Sequence, residues 1–144
     1  AIFVFYADRR RDTKQEVRTI GADVRVRVKR SMIMKIEYML ADPSGNKTIL
    51  VLTPVPKEEH STCGGLTGKA GIDAEQVGYV TCVEGKPLRV DMMGGEFCGN
   101  ASRAAAAYAL SCDGKDQAST AVLFGCDEIL PVKVNHTGGE DYEA

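Results

Sequence analysis

Hydrophobic and polar residues alternate through "VRTIGADVRVRVKR", residues 17–30, where Val trades places with Arg and Lys. A period of two is the pattern of a strand with one face toward solvent. "KIEYML" predicts a further strand, "ADPSGN" a turn rich in Pro, Ser, Gly and Asn, and "KTILVLTPV" a more deeply buried strand. In "PKEEHSTCGGLTGKAGIDAEQ" the glycines interrupt any helical period, which predicts a loop with a short helix near Pro56–Ser61. "VGYVTCVEGKPLRVDMM" predicts a hairpin, Gly78–Val83 and Leu88–Met92, around "EGKP". "CGNASRAAAAYALSC" has strong helix propensity from Ala101 to Leu110 and is apolar nearly all round. A surface helix shows a polar face, so this one is expected to be enclosed, and its alanines permit close approach. "STAVLFG" and "LPVKVNH" add two strands, and the chain runs out in the polar "TGGEDYEA" with no closing element expected. The pattern predicts an α+β fold, a mostly antiparallel curved sheet or barrel wrapped around a central apolar helix.

Composition narrows the classes of function. A chain of 144 residues suits one domain with a real core. A net charge of −2 gives no electrostatic reason for nucleic acid or an anionic membrane as partner. The longest apolar run is far short of the roughly 20 residues that cross a bilayer. "AIFVFYA" is too short for a secretory signal, lacks a preceding basic region and runs into "DRRRD". Five cysteines without a CxxC pair are expected as free thiols in a reducing cytoplasm. Residues 1–31 hold nine Lys/Arg against four Asp/Glu, while the remainder holds nine against sixteen. Met32 and Met34 make plausible starts, so residues 1–33 are expected to be a basic extension or a cloning artefact, and 34–144 the folded domain.

Few residues carry candidate chemistry. Cys63, Cys82, Cys112 and Cys126 are expected as small buried hydrophobes, and His60 and His136 as isolated surface residues. Cys98 has no ligand at zinc-site spacing, so no metal is expected, and no Walker or dinucleotide glycine pattern points to a cofactor. "CGGLTGKAG" around Lys69 lacks the preceding strand and the GK[ST] ending of a phosphate loop. Cys98 stands apart because it opens the alanine helix. There the positive end of the macrodipole and unpaired first-turn amides stabilise thiolate over thiol. The amides of Gly99, Asn100 and Ala101 make a ready carboxylate site, Gly99 allows close approach, and Asn100 is a favourable N-cap. Gly94 and Gly95 predict a tight turn before it, with Glu96 placed to cap or orient the loop. Local physics leaves three readings open: a packed hydrophobe, a redox thiol, and a base that removes a proton from carbon.

The stretch "GGEFCGNASRAAA" resembles the first catalytic-cysteine motif of the diaminopimelate epimerase-like superfamily, a C-G-N-x-x-R element opening a central helix. "MLADPSGNKTILVL" is similar to that family's N-terminal segment, where a Gly-Asn pair lies between two strands. The resemblance covers about residues 34–144 and only the N-terminal half of such an enzyme. It implies a racemase or epimerase working without pyridoxal phosphate, in which two thiols on opposite faces of an amino acid exchange its α-proton. Carried over, Cys98 is one acid/base, Gly99 and Asn100 hold the α-carboxylate, and Asn46 touches substrate. Arg103 matches the motif's arginine, with a structural role or a substrate contact both open. The implied partners are a small amino acid and the second domain of the same enzyme, with a homodimer among the open arrangements. Two departures stand out. No second Cys-Gly-Ser/Thr element occurs in the chain, so the second acid is expected elsewhere. The family's "N-A-D-G-S-E" run is replaced by "DMMGGE", which puts Asp91 near the substrate's far end and leaves room for another amino acid, histidine-like or otherwise. A same-fold isomerase of another small acid and a non-catalytic carboxylate-binding domain are the alternatives.

Overall fold

The computed structural model describes residues 16–28, 32–65, 74–84, 87–113, 117–124, 129–138 and 141–143. The opening apolar run, the glycine-rich stretch around Lys69, the centre of the "EGKP" turn and Cys126 lie outside them. The chain is α+β. Its strands are β1 (Glu16–Val28), β2 (Met32–Asp42), β3 (Thr48–Val51), β4 (Gln76–Thr81), β5 (Leu88–Met92), β6 (Gln117–Phe124), β7 (Ile129–Gly138) and β8 (Asp141–Glu143). Helix α1 is His60–Gly64 and α2 is Gly99–Asp113, with short 3-10 turns at Pro43–Gly45 and Lys57–Glu59.

The sheet is mixed. Each strand pairs with the next in the chain, and Glu16 pairs with Asp141 to return β8 to β1. Pairing is antiparallel except between β3 and β4 and between β5 and β6. Parallel neighbours need a crossover, and here the crossovers carry α1 and α2. The segment expected as a basic extension supplies β1, which pairs with β2 from Glu16–Asp42 to Val28–Met32. The polar tail expected to lack a closing element instead forms β8, paired with β7 as well as β1.

Alternation along the strands builds the core. In β5, Leu88, Val90 and Met92 are buried while Arg89 and Asp91 are half-buried, so the period of two seen in the sequence is also the packing pattern. The apolar set joins Met39 and Ala41 of β2, Leu50 of β3, Val80 of β4 and Val134 of β7 around α2. On the helix side, Ala101, Ala104, Ala105, Ala106, Ala107 and Leu110 are all buried in that cluster. Gly78 faces the same way: a Cβ there would meet Leu50 and Val90 at 3.1 Å. Every residue of β3, and Val77–Val80 of β4, is buried, because these strands are covered on both faces.

The second covering comes from α1. The rings of His60 and Tyr79 stack at 3.7 Å, the Tyr79 hydroxyl donates to the His60 carbonyl at 2.6 Å, and His60 Nε2 lies 3.1 Å from the Val55 carbonyl. His60 was expected at the surface and is buried, since this stack encloses its ring. Burial, with Cys63 adding, pushes the Tyr79 phenol well above its ordinary range, so it stays protonated and keeps the O–H that the His60 carbonyl accepts. Tyr79→Phe keeps the stack but leaves a carbonyl short of its partner. The expected loss is about 1–2 kcal/mol, read as a lower urea midpoint at unchanged m. Among the described residues no helix is long and apolar enough to cross a membrane.

Candidate functional site

Helix α2 begins at Gly99, one residue ahead of the N-cap expected at Asn100. Cys98 is the capping residue. Its carbonyl accepts the Ser102 amide at 3.1 Å and the Ser102 hydroxyl at 2.7 Å. Its sulfur accepts the Ala101 amide at 3.4 Å, as a Ser or Asp cap would. The cap shifts because the sulfur reaches the third helical amide, which leaves Asn100 inside the first turn. The sulfur has a second partner. Cys98 Sγ donates to Gln76 Oε1 at 2.9 Å, across 22 residues of chain. Cys98 itself is only 6% exposed.

Gly99 is exposed and Asn100 half-buried. Their amides head the helix, where no intrahelical carbonyl reaches them. A Cβ on Gly99 would find Phe97 at 4.0 Å as its nearest neighbour, so the space beside the Gly99 Cα is open. The Asn100 side-chain oxygen accepts a hydrogen bond from Arg103 Nη2, which leaves its amide N–H groups pointing elsewhere. The described contact of Arg103 is therefore to Asn100. The preceding turn is built as its glycines suggest: Gly95 has φ +75° and its amide donates to the Met92 carbonyl at 3.0 Å. Glu96, expected to cap or orient the loop, is exposed, with its carboxylate folded over Gly94. Phe97, beside the cysteine, is exposed.

Asn46 ends the Pro43–Gly45 turn, whose Gly45 has φ +84°. Its side-chain oxygen is buried without a hydrogen-bond partner, and its carbonyl accepts from Thr48 Oγ1 at 3.4 Å. Strand register puts Ala41, Thr48 and Gln76 side by side, so Asn46 arrives at the same end of the sheet as Gln76. Asp91 lies on the other face of β5 from the residues that pack on α2. Both of its oxygens are held by Arg89, from Nε at 2.8 Å and Nη2 at 3.0 Å. The structure thus gathers Cys98, Gly99 and Asn100 at one helix start with Asn46 near that end of the sheet, and turns Asp91 away.

Gln76 is the residue that sequence reasoning missed. Its signal was a polar side chain at the first inward-facing place of the run Gln76, Gly78, Val80. Among the other thiols, Cys63 is buried as expected, while Cys82 and Cys112 are exposed, because they lie where β4 and α2 leave the core. Burial raises Cys63, helped by Glu59, and raises Cys82, helped by Cys112, so both stay protonated at neutral pH. Among the described residues no three His, Cys, Asp or Glu side chains are grouped to hold a metal ion.

The family model of the histidine racemase CntK N-terminal domain matches residues 35–143. A histidine racemase of Fusobacterium nucleatum subsp. nucleatum is 30% identical over 118 residues, covering 76% of this chain and 41% of the relative. A second strain's histidine racemase is 29% identical over 129 residues, with the same coverage. The histidine racemase of Staphylococcus aureus is 29% identical over 105 residues, covering 69% of this chain and 38% of the relative. The chain therefore spans about two fifths of the length of the curated relatives it matches. With a family model covering most of its length, the chain belongs to the histidine racemase CntK N-terminal domain family.

Proposed function

We propose that this chain is the N-terminal domain of an amino-acid racemase that acts on histidine or a close relative without pyridoxal phosphate, with Cys98 as one of two acid/bases. The observation that carries the proposal is the placing of the Cys98 sulfur at the cap of α2, with the Ala101 amide aimed at it and the Gly99 and Asn100 amides beside it. The substrate carboxylate lies against those amides, and the α-C–H then faces the sulfur. The Cys98 thiolate takes the α-hydrogen as a proton and becomes a thiol, leaving the electron pair on Cα. A thiol from the second domain protonates Cα on the opposite face and becomes a thiolate, which inverts the centre. The α-proton is far less acidic than a thiol, so the carbanion is held by the helix amides in a site closed to water.

In this reading the strands wrap α2 as a barrel of the diaminopimelate epimerase-like kind, and the second domain closes over the helix start. Asn46 offers its buried oxygen to the substrate, and Arg103 acts through Asn100 by fixing which way its amide points. The enzyme works in the cytoplasm, with a homodimer open to it. Arg103→Met releases the Asn100 side chain. The expected result in steady-state kinetics is a KM about 5- to 10-fold higher with kcat little changed, since the loss falls on substrate binding.

The test is alkylation with iodoacetamide at neutral pH, followed by peptide mass spectrometry. Cys82 and Cys112 are exposed and serve as internal standards. Cys98 is expected to react faster than either despite its burial, and millimolar histidine is expected to protect it alone. Slow labelling that histidine does not change would favour a carboxylate-binding domain without catalysis.

A further inference from the structure

We propose that Gln76 is the positioning residue for the Cys98 sulfur, its side-chain amide serving that sulfur in both protonation states; this rests on the reading of Cys98 as an acid/base. In the structure Sγ donates to Oε1 at 2.9 Å, the arrangement that a thiol makes. A primary amide carries an acceptor on one side and two donors on the other. Its last torsion is broad and roughly two-fold, so a half-turn brings the NH₂ group to the sulfur without moving Cα. A thiolate formed by proton loss then meets a donor where the thiol met an acceptor. A racemase base needs this, because the group that removes a proton in one direction must deliver one in the other.

The backbone holds Gln76 for the task. It is the first residue of β4, in register with Thr48 of β3, and the neighbouring Glu75 amide donates to the Lys47 carbonyl at 2.9 Å. Gly78, the next inward position, has no side chain to crowd it. The described core residues clustered with Cys98 from β2, β3, β4, β5 and β7 are apolar. Gln76 is therefore the side chain that hydrogen-bonds the sulfur among the described residues.

Two variants test this in the whole enzyme. Gln76→Met keeps the shape and removes both hydrogen-bonding roles. Its kcat is expected to fall about tenfold, the rate equivalent of one ordinary hydrogen bond, with KM for histidine moving much less than kcat because the hydrogen bond removed is the one to the sulfur. Gln76→Glu puts an acceptor-only anion beside the sulfur, and alkylation of Cys98 at neutral pH is expected to slow about tenfold. A Gln76→Met enzyme with wild-type kcat, or a Gln76→Glu chain with wild-type Cys98 alkylation, overturns the role of Gln76. Wild-type racemisation by Cys98→Ala would instead overturn the acid/base reading of Cys98, so the two failures are distinguishable.

Discussion

Cys98→Ala in the whole enzyme is expected to abolish racemisation in both directions, with kcat down by about 10²–10⁴-fold. The equilibrium constant between enantiomers is one, so kcat/KM must fall equally for the L and D substrates. Deuterium uptake from heavy water separates this from a folding defect. With Cys98 gone, the opposing thiol still reaches the α-proton on its own face, so exchange without inversion survives in one enantiomer and vanishes in the other. Chiral chromatography with mass detection reads both quantities. Alanine also removes the sulfur cap on the Ala101 amide, which is expected to cost about 1 kcal/mol of stability and leave the fold intact. Racemisation at the wild-type rate would end the proposed chemistry.

Ala105→Leu is expected to carry the largest stability loss. Ala105 is fully buried, with Ala101, Ala104, Ala106 and Ala107 around it on α2 and Met39, Leu50 and Val90 in the same core cluster, all but sealed from solvent. Leucine is nearly as good a helix former as alanine, so propensity contributes little. The extra carbons must enter a cluster of buried side chains, and overpacking of this kind costs about 1–3 kcal/mol. At this chain length that is a fall in Tm of roughly 5–10 °C, measurable by circular dichroism. Ala109→Leu, at a half-buried position on the same helix, serves as the comparison and is expected to move Tm little. Equal melting temperatures for the two variants would mean that the helix is not held close to the sheet.

The comparison of expectation with structure turns on how far apart in the chain the partners lie. Helix α2 was legible because its cause is local: a run of alanines with nothing to break it. The hairpin of β4 and β5 was legible from two strand-forming runs flanking a turn. The polar face of β5, with Arg89 and Asp91 on the side away from α2, follows from the alternation of its residues. His60 could not be read as buried, because the ring that covers it belongs to Tyr79 on another element. β8 escaped for the same reason: three polar residues become a strand only when β7 and β1 offer their edges.

At the candidate site the division is sharper. The amino-acid order alone determined that a thiol would stand at the start of a buried alanine helix, with Gly99 and Asn100 behind it, since those neighbours are set by covalent connection and local propensity. Which side chain meets that sulfur was decided by the antiparallel register of β4 with β5, Gly78 opposite Met92, which sets Gln76 beside the segment that leads to Cys98. Strand register depends on the packing of whole faces, not on any short run of residues, so that contact came into view only with the tertiary structure.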